Sequence, residues 1–181
     1  MAIPTYSLSL IQTLQPPVQP IALSFLAQCE AAGIPCKVVQ GTRSFTEQQS
    51  TYNQGRTTPG NVVTQARPGD SYHQYGLAFD VVPTEYLGLP GWNPSGPHWA
   101  KIGEIAERLG LTWGGRWSNP DKPHFELRAA PLSELKRYWE KFAKVMPVTI
   151  EPTIGAFGII LLIALGYFFF LRPMLARRGY V

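Results

Sequence analysis

Apolar positions along the chain recur at helical spacing in three places and in short strand-like runs between them. From Val18 to Ala32, Ile21, Phe25 and Leu26 form an apolar stripe, and Gly33 stands where a helix C-cap is expected. "CKVVQGT" then reads as a strand. "SFTEQQSTYNQG" opens with Ser44 and carries Glu47 three residues on, the capping-box pattern that starts a helix. "RTTPGN" is a turn or loop. "VVTQARPGDSYHQYGLAFDVVP" is a loop that runs into a strand ending near Val82. "GPHWAKIGEIAERLG" predicts a helix closed by Gly110. "LTWGG" and "PHFEL" predict two short strands joined by "RWSNPDK". A third amphipathic helix has Pro131 near its first turn and the stripe Leu132, Leu135, Trp139, Phe142 and Met146. The expected fold class is α+β, a small antiparallel sheet with helices packed against it.

A different pattern begins at Ile154. "IGAFGIILLIALGYFFFL", Ile154 to Leu171, holds no charge over eighteen residues, and Glu151 and Arg172 bracket it. As a helix it would span about 27 Å, close to the hydrocarbon thickness of a bilayer. A single transmembrane helix is therefore expected at 154–171, with Tyr167 and Arg172 at an interface and the lipid bilayer as a partner. The expected organisation is a folded domain over 1–147, a linker over 148–153, the span over 154–171 and a short basic tail over 172–181. The N-terminus has neither a basic n-region nor a long apolar stretch, so no signal peptide is expected.

Charge adds little to this picture. The net charge is +4, but residues 1–151 hold 13 Lys/Arg against 12 Asp/Glu, a net of +1. The other three basic residues are Arg172, Arg177 and Arg178, so no basic stripe marks a nucleic-acid partner. The two cysteines, Cys29 and Cys36, read as buried thiols, the first in a helix and the second opening a strand. A single bridge between them is the alternative in an oxidising compartment.

Candidate chemistry lies in the histidines. There are three: His73, His98 and His124. Catalytic zinc commonly takes three protein ligands from His, Asp or Glu and leaves one position open. In "SYHQYGLAFD", His73 can sit at a loop end while the chain passes Gly76 and enters the strand that carries Asp80. His124 in "NPDKPHFEL" can supply a third ligand. Hydrolysis also needs a carboxylate that takes a proton from water and delivers it to the leaving amine. Asp121, Glu126 and Asp70 all qualify on residue type and position. Glu126, two residues beyond His124 on a strand, would share its face. His98, at a predicted helix start, fits a packing role. Arg43, between a strand and a capped helix, is either a surface arginine or a group able to stabilise an oxyanion or clasp a carboxylate.

Taken together, "GTRSFTEQQSTYNQGRTTPGNVVTQARPGDSYHQYGLAFDVV" and "WGGRWSNPDKPHFEL" resemble the zinc peptidases of the D-Ala-D-Ala carboxypeptidase and L-alanyl-D-glutamate endopeptidase family, which includes phage endolysins and bacterial cell-wall peptidases. Ser71, His73, Gly76, Ala78 and Asp80 meet its Ser-x-His-x-x-Gly-x-Ala-x-Asp pattern, and Asp121 and His124 meet its Asp/Glu-x-x-His pattern. The resemblance spans roughly Ile21 to Leu127. It implies one zinc ion on His73, Asp80 and His124, with Asp121 as the general base. It implies that Arg43 contacts the substrate or the developing oxyanion, and that Ser71 orients the ligand loop or contacts substrate. The implied partner is the peptide stem of peptidoglycan, cut at the L-alanyl-D-glutamate bond; the alternative is D-Ala-D-Ala carboxypeptidase activity. A membrane span is foreign to the usual soluble core of this family. A wall-cutting domain on an anchor without an export signal leads to the expectation of a phage lytic enzyme, carried in a virion membrane or acting at the host envelope. The rival expectations are a tail-anchored bacterial wall remodeller and a non-catalytic, membrane-tethered wall-binding module.

Overall fold

The computed structural model describes residues 3–145 and 172–176. Phe25, Phe79 and Phe125 are fully buried and organise the core, with the Phe25 ring 4.9 Å from Phe125 and 6.0 Å from Phe79. Phe25 lies on α2 (Val18–Ala31). Its partners lie on β2 (Ala78–Pro83) and β4 (His124–Glu126), which pair antiparallel. With β1 (Cys36–Gln40) and β3 (Thr112–Trp113) they form a four-stranded antiparallel sheet in the order β1-β2-β4-β3. The α+β expectation holds for the described residues.

Successive side chains on a strand point to opposite faces. Phe79 and Phe125 face α2, so Asp80, His124 and Glu126 face the other side of the sheet. The apolar face anchors the strands and leaves the polar face free for chemistry. The register then pairs Asp80 with His124, Phe79 with Phe125 and Ala78 with Glu126.

The predicted helices form for the reasons read from the sequence. α3 (Phe45–Asn53) begins at Ser44, whose hydroxyl accepts from the Glu47 amide while the Glu47 carboxylate accepts from the Ser44 amide. α4 (His98–Arg108) buries Trp99, Ile102, Ile105 and Ala106, and Gly110 follows it with a left-handed φ of 81°. α5 (Leu132–Val145) buries Leu135 and stacks Trp139 on Phe45, with ring centroids 5.4 Å apart. Met146, the span 154–171 and the linker before it lie outside the described residues. Among the described residues no helix is long and apolar enough to cross a membrane. Arg172–Ala176 forms a short helix, α6.

One element has no forerunner in the hydrophobic pattern. α1 (Thr5–Gln12) lies along the edge strand β1, where the Ser7 hydroxyl accepts from the Val38 amide at 3.2 Å. The segment after it braces the turn that follows α3. Gln15 Nε2 donates to the Tyr75 carbonyl at 3.1 Å, and the Gln15 amide donates to the Gly76 carbonyl at 2.9 Å. An exposed strand edge is thereby covered, and the N-terminal chain becomes a clamp on the His73 loop. Cys29 and Cys36 are both buried and both free.

Phe125 is the residue on which the two sheet faces depend. Phe125→Ala is expected to cost about 3–5 kcal/mol, as large aromatic truncations in a packed core do. Calorimetric unfolding checks this, and a loss below about 1 kcal/mol would contradict the account of the core.

Candidate metal centre

His73 sits in a single 3-10 turn, Tyr72–Tyr75, begun by Ser71 and closed by Gly76. The Ser71 hydroxyl accepts from the His73 amide at 3.4 Å, so its visible role is to shape the turn. Gly76 has φ of 65°, a conformation that glycine adopts without steric cost. It lets the chain reverse within two residues and enter β2. That reversal brings His73 over Asp80, while the β2–β4 register brings His124 beside it.

The three ligand atoms form a nearly equilateral triangle. His73 Nε2 is 3.1 Å from His124 Nδ1 and 3.2 Å from Asp80 Oδ1, and His124 Nδ1 is 3.2 Å from Asp80 Oδ1. Ligand bonds of roughly 2.0–2.1 Å in a tetrahedral zinc site imply edges of about 3.3 Å. The far ring nitrogens are both committed elsewhere. His73 Nδ1 donates to the Gly41 carbonyl at 2.8 Å, and His124 Nε2 donates to Glu126 Oε2 at 2.9 Å. Each imidazole is therefore held as the tautomer that turns a lone pair toward the other two ligands. The donor set, two neutral nitrogens and one carboxylate oxygen, fits zinc with a further position left open.

Without a metal, the same three groups attract a proton in its place. Burial would raise the Asp80 carboxyl, but His73 and His124 hold it well below the usual carboxylate range. Burial pulls His124 down, yet hydrogen bonds to Asp80 and Glu126 outweigh it and hold the imidazole up at about 9. Asp121 moves the other way: the surrounding protein, and then the Asp80 charge, raise it against the pull of His124, His73 and Arg43.

Asp121 stands at the turn before β4. Its amide donates to the Gly114 carbonyl at 3.0 Å, and Trp113 Nε1 donates to the Lys122 carbonyl at 2.8 Å. Gly114 has no room for a side chain: a Cβ there would lie 2.5 Å from the Asp121 carbonyl oxygen and 3.2 Å from His124 Cβ. The "WGG" segment thus packs directly under the turn carrying Asp121 and His124. Trp117 leans on the His124 ring, 5.2 Å between centroids. Asp121 also borders a cleft of about 480 Å³, walled by Gly91, Pro94, Trp99 and Pro123.

Arg43 is tied to the same place. Its backbone amide donates to the His73 carbonyl at 3.1 Å, and its Nη1 donates to Gln48 Oε1 at 3.0 Å. Gln48 is fully buried on α3 and donates onward to the Ala66 carbonyl at 2.8 Å. Arg43 is therefore a held side chain and not a loose surface arginine. The other expected candidates lie elsewhere. His98 pairs with Glu85 at 2.8 Å and stacks on Tyr86. Asp70 pairs with Lys136. Glu126, a candidate base on residue type alone, lies behind His124 with its second oxygen accepting from Arg128 Nε at 2.6 Å.

Sequence reasoning missed Gln48, the Gly41 carbonyl and Gly114. A polar residue in the first turns of a capped helix and a glycine pair after a tryptophan are common, and only the tertiary contacts distinguish these.

The fold and this site define a small α+β domain built around one zinc-type centre, with a separate carboxylate and a held arginine beside it. A family model described as D-alanyl-D-alanine carboxypeptidase, within the M15 peptidases, matches residues 64–127. Over 122 residues the chain is 42% identical to the peptidoglycan L-alanyl-D-glutamate endopeptidase CwlK of Bacillus subtilis (strain 168), covering 63% of this chain and 73% of that protein. Among solved structures, the LD-carboxypeptidase LdcB shares the fold at a TM-score of 0.53 and 17% identity, over 63% of this chain and 58% of LdcB. The L-Ala D-Glu endopeptidase ChiX of Serratia marcescens aligns at a TM-score of 0.48 and 22% identity, over 68% of this chain and 86% of ChiX. The chain belongs to the M15 family of zinc peptidases, and it is a zinc-dependent enzyme.

The proton on His124 gives a test of the site without substrate. An unpaired histidine titrates near 6.5. A folded-state value of about 9 therefore stabilises the metal-free protein fully below pH 6.5, and this stabilisation is lost as pH rises through 9. The melting temperature of chelator-treated protein is expected to fall between pH 6.5 and 9. Zinc should remove that slope, because the His124 lone pair is then committed to the metal. Equal slopes with and without zinc would contradict the ligand assignment.

Proposed function

We propose that this enzyme cuts the peptide stem of peptidoglycan at the L-alanyl-D-glutamate bond. The observation that carries this reading is the 42% identity to CwlK, a peptidoglycan L-alanyl-D-glutamate endopeptidase. The description of the matching family, D-alanyl-D-alanine carboxypeptidase, supports the second reading, removal of a terminal D-alanine.

The chain's own residues divide the work as follows. His73, Asp80 and His124 hold zinc, which when bound supplies the Lewis acidity that makes water a nucleophile near neutral pH. Asp121, at the turn before β4, accepts the proton of the attacking water. As the new C–O bond forms, Arg43 faces the negative charge developing on the carbonyl oxygen, held in place by Gln48. The C–N bond then breaks, and Asp121 returns its proton to the departing amine. The raised proton affinity of Asp121 suits a group that must both take a proton and give it back. Ser71 acts by shaping the His73 turn.

We also propose that the uncharged stretch 154–171 tethers the domain to a membrane. Its length and the basic residues after it support this.

Mass spectrometry of digested peptidoglycan tests the bond choice. L-Ala/D-Glu cleavage yields stem peptides with a new amino terminus at the glutamate. Release of free D-alanine with every L-Ala–D-Glu bond intact would sink the preferred reading in favour of the second. Asp121→Ala should keep zinc and lower turnover by about 10²–10⁴-fold. Retained turnover in that variant would remove Asp121 from its role.

A further inference from the structure

The two metal-facing histidines are backed by different groups. His73 Nδ1 donates to a neutral acceptor, the Gly41 carbonyl. His124 Nε2 donates to a carboxylate, Glu126 Oε2, at 2.9 Å, and that carboxylate in turn accepts from Arg128 Nε at 2.6 Å. Glu126 is only 3% exposed. Burying a charge costs several kcal/mol before its partners repay it, and a well-packed apolar residue would serve stability as well or better. A buried carboxylate at this position therefore calls for a role other than stability.

We propose that Glu126, held by Arg128, is a positioning residue that acts through His124 to set how strongly the enzyme grips its zinc. The inference rests on the zinc reading of the site and not on which bond is cut. Strand alternation is what makes it possible. His124 and Glu126 share a face of β4 because Phe125 between them is locked into the core. Directly across the sheet, Glu126 faces Ala78, whose methyl group leaves the carboxylate room to reach the ring. A hydrogen-bonded carboxylate draws the Nε2 proton toward itself and makes Nδ1 a stronger donor, an effect that a peptide carbonyl behind His73 supplies only weakly.

Charge accounting points the same way. Zinc with one carboxylate and two neutral imidazoles carries one net positive charge. Glu126 neutralises it through His124, and Arg128, with 54% of its side chain exposed, returns the positive charge to the surface. The buried centre is thus close to neutral, which a low-dielectric site favours.

Glu126→Gln keeps the shape and removes the charge. Zinc affinity, measured by competition with a chromophoric chelator, should fall about 10–100-fold. The visible absorption bands of the cobalt-substituted protein should shift relative to wild type, a change that a purely structural role would not produce. Should Glu126→Gln alone fail to fold because Arg128 is left unpaired, the double variant Glu126→Gln/Arg128→Met removes both charges together and should show the same loss and the same shift. Zinc affinity within twofold of wild type and unchanged cobalt bands, in whichever variant is folded by circular dichroism, would overturn the proposal. A wild-type protein that binds no zinc would instead sink the metal site itself, so the two failures are distinguishable.

Discussion

The antiparallel register that sets Asp80 opposite His124 is the constraint on which the rest of the molecule depends. It is fixed from the far side of the sheet, where Phe79 and Phe125 pack around Phe25. A slip of β4 by one residue would turn His124 into the core and Phe125 out of it. The apolar face thus does more than stabilise: it holds two ligands that are 44 residues apart in sequence at contact distance. The third ligand comes from the adjoining turn, which Ser71 opens, Gly76 closes and Gln15 clamps from the N-terminal chain.

The site is then an electrostatic arrangement with little slack. Two imidazoles and one carboxylate face one another within hydrogen-bond distance, and each ring is oriented from behind. Asp121 and Arg43 stand outside that triangle, the first over the "WGG" segment, the second bonded to Gln48. The residues that converge on the metal position and the proposed base and oxyanion groups are thus different side chains. That separation is what hydrolysis by a single metal centre requires.

Much of this was legible in the sequence because local rules and tertiary structure agree. The Ser44–Glu47 capping box, the Gly110 helix end and the alternation in "HFE" are short-range signals, and each forms as expected. His73, Asp80 and His124 converge as the family resemblance implied. The base was not legible from residue chemistry, since Asp70, Glu126 and Asp121 are equivalent until their partners are known. The fold pairs Asp70 with Lys136 and sets Glu126 behind His124, which supports the proposal of Asp121 as the base. α1 was missed because its apolar stripe is thin and its main contact is a serine on a strand edge. The expected membrane span falls outside the described residues.

The central claim is that one zinc ion is held by two histidine nitrogens and one aspartate oxygen. Zinc K-edge X-ray absorption on the purified, zinc-loaded chain tests it most directly. The account predicts one zinc per chain, a first shell of nitrogen and oxygen only at about 2.0–2.2 Å, and multiple scattering from two imidazoles. A sulfur scatterer at about 2.3 Å, which only a displaced Cys29, Cys36 or methionine could supply, or a shell with one imidazole or none, would contradict it.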